Sequence, residues 1–304
     1  DMGLIVPPIR IRDNMELAPE TYSVLIKGVE VGHGALQVGR LMAMDSGDVS
    51  VKIEGNEFVE PVFGLQAIWI EPDVRDDAEQ RGYTVVDCPT IVATHLTEVI
   101  KRHADEILGR QEVQQLIDNV KNDYPAVVNE INEKMSLGEV QKVLQNLLRE
   151  RVSIRNMVTI LETLASYVDH TKDIGILTEY VRIALARQIT KNYLTDRDQL
   201  AVITVDPEIE NIIRGAIHED PVEGRVLGLD PQTYDVIKNV IIDALNKAGN
   251  LGYAPVFLVS PQIRSVLFAL LEREVPNAVV LSYNEITSNV DVNVVVSALL
   301  PSAA

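Results

Sequence analysis

The C-terminal fold is decided by residues 256–281, VFLVSPQIRSVLFALLEREVPNAVVL. Two short apolar runs, Val256–Val259 and Val279–Leu281, flank a segment in which apolar residues recur at helical spacing. The pattern predicts a strand, a helix that begins at Pro261, and a second strand. Because a strand–helix–strand unit joins strands that run in the same direction, it predicts a mostly parallel sheet.

The residues before this unit extend the same α/β pattern towards the N-terminus. Val202–Val205 is another short apolar run, and Asp230-Pro231 is typical of a helix cap and first turn. The helix after that cap has these apolar positions: Val236, Ile237, Val240, Ile241, Ala244 and Leu245. The last third of the chain is therefore predicted to be an α/β module.

Residues 110–190 have a different character, because helical periodicity dominates and alternating β-branched runs are absent. Ser136–Glu139 fits a capping box ahead of a helix, and Ser153 is a candidate cap for the next helix. The predicted helices carry these apolar stripes: Val140, Val143, Leu144, Leu147, Leu148; Ile154, Met157, Leu161, Leu164; and Leu177, Tyr180, Val181, Ala184, Leu185. This part is predicted to be a helical module.

Residues 1–107 mix strands and helices. Alternation or extended character predicts strands at Ile9–Arg12, Tyr22–Val31, Val49–Ile53 and Tyr83–Val86. Helices are predicted from Pro72 to about Gln80 and from about Thr90 to Leu108, and Gly32-His33-Gly34 is interpreted as a hairpin turn. This interleaving predicts mixed sheets.

Composition limits the class of protein. A chain of 304 residues with 46% hydrophobic residues can bury more than one core. The formal net charge of −18 repels phosphate backbones, so we expect no nucleic-acid partner. Cys88 is the single cysteine, which excludes an intrachain disulfide, and we expect neither a signal peptide nor a membrane span in these residues.

The sequence contains none of the common nucleotide-binding or catalytic motifs. Gly32 and Gly34 are followed by the next glycine only at Gly39, so the dinucleotide fingerprint fails, and the sequence has neither a P-loop nor a serine-nucleophile elbow. His95 and His103 could share a helix face with carboxylates, but they are eight residues apart, which does not suit a metal site. We expect no enzyme, no cofactor, no metal and no catalytic residues. An enzyme with a small-ligand site in the C-terminal strand–helix–strand unit is the competing class.

The segment Glu60–Leu65 stands out, because a proline and a glycine bracket one of only four phenylalanines. An exposed Phe63 beside the carboxyl group of Glu60 could anchor a partner segment. The residues alone favour the simpler interpretation that Phe63 fills a core.

Many ordered stretches of the chain resemble the cytoplasmic region of the FlhA family of flagellar type III export gate proteins, also called FHIPEP. The stretches are these: Ile11–Asn14, Lys27–Glu30, Phe63–Leu65, Ala67–Ile70, Ala93–Leu96, Gly109–Glu112, Lys142–Leu148, Ser153–Asn156, Leu177–Arg182 and Leu281–Glu285. The resemblance covers nearly the whole chain, and residues 192–255 match by pattern only.

The resemblance implies four subdomains. The first is discontinuous, 1–38 with 88–108, and the second, 39–87, is inserted into it. The third, 109–190, is helical, and the fourth, 191–304, is α/β. The overall class implied is therefore a multidomain α/β and α+β protein with two interleaved mixed modules.

The resemblance also implies a docking function. Family members dock late-substrate chaperones in a hydrophobic dimple, and the matching positions here are Glu60, Phe63 and Thr94, with Val86 and Ile91 as apolar wall residues. The family acid is an aspartate in Asp-Pro-x-Phe, whereas this chain has Glu60, which moves the charge outward by one methylene. The resemblance therefore implies that Phe63 is a recognition residue.

The implied partners are flagellar export chaperones with their substrates and other export apparatus proteins, including the soluble ATPase complex. The implied assembly is a ring of nine copies, with the helical module making much of the subunit contact. The implied location is the cytoplasmic side of the bacterial inner membrane at the flagellar basal body, where a membrane-embedded N-terminal region precedes these residues. The equivalent export gate component of a virulence injectisome is the alternative.

Overall fold

The structure of this chain is a computed structural model. It describes residues 2–47, 49–220, 224–272, 274–275 and 278–300. The chain forms two compact units, one of Val6–Leu108 and one of Gly109–Ala304 together with Asp1–Ile5. None of the helices in the described ranges combines the length and the hydropathy needed to cross a bilayer. The predicted mixed α/β and α+β architecture is confirmed. The four-subdomain boundaries remain a prediction.

The unit of residues 6–108 contains two antiparallel sheets. Its elements are β1 (Thr21–Ile26), β2 (Val29–Ala35), β3 (Leu41–Asp45), β4 (Glu57–Val59), β5 (Gln66–Ile70), α1 (Arg75–Gln80), β6 (Tyr83–Asp87), α2 (Cys88–Arg102) and α3 (Ala104–Ile107). The strands β1 and β2 form a hairpin, and the other four form a sheet in the order β4-β5-β3-β6. A 3-10 turn at Pro72–Val74 precedes α1.

The hairpin differs from its sequence prediction. The predicted single strand Tyr22–Val31 is two strands, because Lys27 and Gly28 both adopt positive φ (51° and 86°) and reverse the chain. The predicted turn at Gly32-His33-Gly34 is wrong, since these residues lie within β2. Gly34 instead allows a close approach: a Cβ there would lie 2.7 Å from the Tyr22 ring.

Two further predicted strands in this unit are wrong. Residues Ile9–Arg12 form no strand, and Ile11 is 94% exposed, so the alternating residues there have no sheet to face. Residues Val49–Ile53 form an irregular segment beside the four-stranded sheet, where the Ile53 N–H donates to the Tyr83 hydroxyl (3.3 Å). Alternation identifies a half-buried segment but not its pairing partner.

The four-stranded sheet buries apolar residues on both faces. One face packs against α1, with this core: Ala43, Ile68, Ile70, Ala78, Tyr83 and Val85. The opposite face receives the first turn of α2, with this core: Met42, Ala67 and Ile91. The second face is the one that carries the candidate site.

The other unit begins with six helices, α4 (Arg110–Asp123), α5 (Pro125–Lys134), α6 (Leu137–Arg149), α7 (Met157–Tyr167), α8 (Ile174–Ala184) and α9 (Ala186–Lys191). The predicted capping box of Ser136 and Glu139 is confirmed at the start of α6. The prediction that Ser153 caps the next helix is wrong. The Asn156 side chain caps α7 by accepting from the Thr159 N–H (3.4 Å), because Asn156 directly precedes the first helical residue.

The C-terminal part contains β7 (Gln199–Val205), α10 (Pro207–Gly215), β8 (Ile217–Asp220), β9 (Gly224–Leu227), α11 (Pro231–Asn250), β10 (Val256–Val259), α12 (Arg264–Glu272), β11 (Val279–Ser282) and β12 (Asp291–Ala298). The predicted parallel sheet is confirmed, with strand order β11-β10-β7-β12 and parallel pairing throughout. The Asp230 cap is confirmed by its bond to the Thr233 N–H (3.0 Å). The α12 helix begins at Arg264 rather than Pro261.

Candidate docking site

The connection from β4 to β5, residues Glu60–Leu65, is called here the Phe63 loop. It closes on itself, since the Glu60 N–H donates to the Leu65 carbonyl (2.9 Å) and the Gly64 N–H donates to the Glu60 carbonyl (3.2 Å). Gly64 has a φ of +72°, a left-handed conformation that glycine adopts without steric cost. The loop is therefore a defined turn.

The Glu60 carboxylate organises this turn from inside. Glu60 is 1% exposed. Its Oε2 accepts from the Val62 N–H (2.7 Å), and its Oε1 accepts from the Phe63 N–H (2.6 Å) and the Leu65 N–H (3.2 Å). Charge-assisted bonds of this kind are stronger than bonds between neutral groups, and they satisfy three donors that a tight turn would otherwise leave open. The Glu60 side chain thus stabilises the loop.

Phe63 lies on the outside of the loop. Its side chain is 55% exposed, so the sequence-based interpretation that Phe63 fills a core is wrong. Large aromatic side chains at exposed positions are well suited to anchor a partner, because they bury much area on binding. The loop presents such a side chain.

The two predicted wall residues pack together. Val86 of β6 and Ile91 of α2 belong to one apolar cluster on the sheet face, with Met42 and Ala67 at its centre. The rings of Phe58 and Trp69 border the same cluster and stack with centroids 5.6 Å apart. The structure therefore brings Val86 and Ile91 together on an apolar face.

The start of α2 is fixed by a side-chain cap. Asp87 accepts from the Thr90 N–H (2.9 Å), and hydrogen bonds from the Thr90 side chain and backbone hold the pKa of the Asp87 carboxyl below its usual value. The cap sets the direction in which α2 leaves β6. Thr94 follows Ile91 by one turn of that helix and is half-buried.

Sequence reasoning missed the stacked pair of Phe58 and Trp69. A signal existed, since Trp69 is the only tryptophan and Phe58 is another of the four phenylalanines, but neither position reveals which strands pair.

Metal binding gains no support, because no group of three or more His, Cys, Asp or Glu side chains within the described ranges could hold an ion. Cys88 is half-buried and unpaired as a disulfide.

The model of the FHIPEP family matches residues 1–291 of this sequence. The chain belongs to the FHIPEP family.

The flagellar biosynthesis protein FlhA of Bacillus subtilis is 44% identical over 296 residues, which are 96% of this chain and 43% of that protein. The chain thus spans less than half the length of this relative.

Solved structures resemble this FHIPEP chain over almost all of its length. CdsV of Chlamydia pneumoniae, in a structure of a CdsV and CdsO complex, has a TM-score of 0.85 and 27% identity, covering 97% of this chain and 86% of that chain. The nonameric EPEC SctV-C, solved by cryo-EM, has a TM-score of 0.77 and 26% identity, covering 96% of this chain and 88% of that chain.

Proposed function

We propose that this chain is the cytoplasm-facing part of a flagellar type III export gate component. Membership of the FHIPEP family supports this proposal. The flagellar assignment is favoured over the virulence injectisome because identity to the flagellar relative is 44%, against 26–27% to SctV-C and CdsV. The proposed setting is the cytoplasmic side of the inner membrane at the flagellar basal body, attached through a membrane-embedded region that precedes these residues.

The proposed mechanism is docking without chemistry. The proposed docking surface for chaperone–substrate complexes consists of the Phe63 ring with the half-buried Val86 and Thr94, and Ile91, which is only 5% exposed, packs against Val86 beneath it. The main observation in favour of this proposal is that Phe63 is more than half exposed. It lies on a loop in which the buried Glu60 carboxylate accepts hydrogen bonds from three backbone N–H groups. Exposed apolar surface held by an organised turn is typical of a recognition site.

Assembly forms part of the same proposal. The resemblance to a nonameric SctV-C supports a ring of nine copies of this chain, with the helices α4–α9 contributing to subunit contact. The CdsV and CdsO complex supports contacts with further export apparatus proteins, for which the soluble ATPase complex is the proposed class. A ring would place nine Phe63 loops around one channel, which raises the local concentration of docking sites.

The test compares Phe63→Ala and Thr94→Met with the unaltered chain in binding purified flagellar chaperone–substrate complexes by isothermal titration calorimetry. Phe63→Ala is expected to weaken binding at least about tenfold, because aromatic anchors carry a large share of interface energy. Leu251→Ala is the matched control, since it removes a similarly exposed apolar side chain (62%) from the other unit. Unchanged affinity in both Phe63→Ala and Thr94→Met removes the docking site.

A further inference from the structure

A concave site lies beside the Phe63 loop, within the unit of residues 6–108. It is a cavity of about 280 Å³ lined by residues 30–33 of β2, by Pro61 of the loop, and by His95 and Arg102 of α2. Pockets for drug-sized ligands usually have roughly 300–1,000 Å³. A cavity below that range suits a single side chain better than a cofactor.

His95 is the buried polar group of this cavity. It is only 7% exposed, and its Nδ1 lies 2.7 Å from the Tyr22 hydroxyl. A phenol is a stronger acid than a neutral imidazole, so we assign the Tyr22 hydroxyl as donor and Nδ1 as acceptor, which places the imidazole proton on Nε2. Nε2 has no hydrogen-bond partner among the residues that the structure describes. The Nε2–H group of His95 is therefore an unpaired donor in the wall of the cavity.

Gly32 keeps that donor accessible. A Cβ at Gly32 would lie 3.0 Å from His95 Nε2, which is closer than side chains normally approach. Any larger residue at this position of β2 would occupy the space in front of the nitrogen. The glycine that sequence analysis assigned to a turn instead leaves room beside the imidazole.

Arg102 adds a positive charge to the same cavity. It lies two helical turns beyond His95, which puts both side chains on one face of α2. Its guanidinium forms no ion pair within the described part of the chain, although the protein carries a net charge of −18. The one acidic lining residue, Glu30, already bonds the Ser23 hydroxyl (2.7 Å) and lies 3.2 Å from His33 Nδ1. Both oxygens of Glu30 are thus engaged, and Arg102 and His95 supply the donors of the cavity that have no partner within the described residues.

We propose that this cavity receives a carboxylate side chain of the chaperone–substrate complex that docks on Phe63. The inference rests on the proposed docking function and adds the chemistry of a second contact. A carboxylate accepts from a guanidinium and from an imidazole N–H at once, and such charge-assisted bonds are the strong ones. Pro61 lines the cavity and lies two residues before Phe63, so the cavity adjoins the loop that carries the aromatic side chain.

The experiment measures the affinity of a purified flagellar chaperone–substrate complex at low and high salt. Arg102→Gln is expected to weaken binding about tenfold at low salt and to reduce its salt dependence, because one attractive charge is lost. Lys101→Gln is the matched control: it removes the same charge from the neighbouring position, where Lys101 bonds Glu98 (2.6 Å). Its affinity is expected to stay within about twofold of the unaltered chain.

Gly32→Ala supplies a second variant that blocks the cavity while it keeps Arg102, and Trp69 fluorescence verifies that each variant is folded. Unchanged affinity in both Arg102→Gln and Gly32→Ala, with Phe63→Ala still weakened, overturns the inference and leaves the docking function standing. An equal loss in Lys101→Gln also overturns it, since overall charge would then explain the effect. Unchanged affinity in both Phe63→Ala and Thr94→Met would rule out the docking function itself.

Discussion

The guanidinium of Arg264 pairs with the carboxylate of Glu150, and both groups are buried between the helices and the parallel sheet (Nη2–Oε1 3.0 Å). Arg182 bonds the same carboxylate (2.7 Å) and lies 2.6 Å from the carboxylate of Glu285. Glu179 completes the network on Arg264. Arg264 and Arg182 hold the pKa of the Glu150 carboxyl below its usual value, although burial opposes that shift. This network ties α6 and α8 to the start of α12 and to the 3-10 turn Tyr283–Glu285 that follows β11.

Replacement of Arg264 by Met is expected to lower the free energy of unfolding of this unit by about 3–5 kcal/mol, because it leaves buried carboxylates without their counter-charge. The measurement is urea unfolding followed by far-ultraviolet circular dichroism, which reports mainly the helices of this unit. Lys238→Gln is the control, since Lys238 makes only longer contacts to Asp235 (3.8 Å) and Glu274 (3.6 Å). Its loss is expected to stay below about 1 kcal/mol. Equal losses in the two variants would contradict the network's role.

Replacement of Glu60 by Gln is expected to destabilise the Phe63 loop without a change of size. The amide keeps one acceptor oxygen and turns an NH₂ group towards backbone donors, so at least one of the three part-buried N–H groups loses its partner. The cost is about 1–3 kcal/mol in the free energy of unfolding. The fluorescence of Trp69 reports it, because Trp69 is the only tryptophan and lies on β5, which follows the loop.

The same variant is expected to weaken chaperone binding although the Glu60 side chain is buried. Glu54→Gln is the control, as an exposed carboxylate in the same unit. A Glu60→Gln chain with full stability and full affinity would show that the three N–H bonds do not hold Phe63 in place. Glu60→Asp, the family acid, measures separately the effect of one methylene.

Alanine at two glycines is expected to have opposite effects. Gly64→Ala should cost about 1 kcal/mol, because the left-handed φ of +72° is unfavourable for alanine even where nothing lies within 4 Å of its Cβ. Gly215→Ala should stabilise by about 0.5–1 kcal/mol, because Gly215 is helical and also has open space. Urea unfolding of both variants checks the signs, and the same sign in both would refute the argument.

The unit of residues 6–108 is expected to lose stability in mild acid through His95. Burial and the nearby charge of Arg102 lower the pKa of His95 below 6.5, against the opposing effect of the Glu60 carboxylate, while His33 lowers it further. The unfolded chain therefore binds a proton before the folded chain does. Stability is full above about pH 6.5 and falls as the pH decreases from there towards the folded pKa.

Trp69-monitored urea unfolding between about pH 5 and pH 8 measures this dependence. His95→Gln, which retains an acceptor for the Tyr22 hydroxyl, should flatten the profile. His103→Gln is the control, because His103 lies just beyond α2 and bonds Glu106 (2.8 Å). If the pH dependence of the free energy of unfolding persisted in His95→Gln and disappeared in His103→Gln, then His103 and not His95 would be its cause.

The candidate site was predictable from sequence only in part. The positions Glu60, Phe63, Val86, Ile91 and Thr94 came from family resemblance, and their role in docking remains a prediction. The residues alone favoured a buried Phe63, since a phenylalanine beside proline and glycine is compatible with either a core or a surface loop. The hydrogen bond from the Phe63 N–H to the Glu60 carboxylate, which helps to define the loop, depends on how the turn folds.

The sequence by itself determined the local elements. The capping box of Ser136, the Asp230 cap and the strand–helix–strand pattern of residues 256–281 are readable because their hydrogen bonds and periodicities join residues close in the chain. Only the tertiary structure decided what depends on distant partners. Gly32 faces His95, Arg264 pairs with Glu150, and Ile9–Arg12 forms no strand, because each outcome is fixed by which surfaces meet.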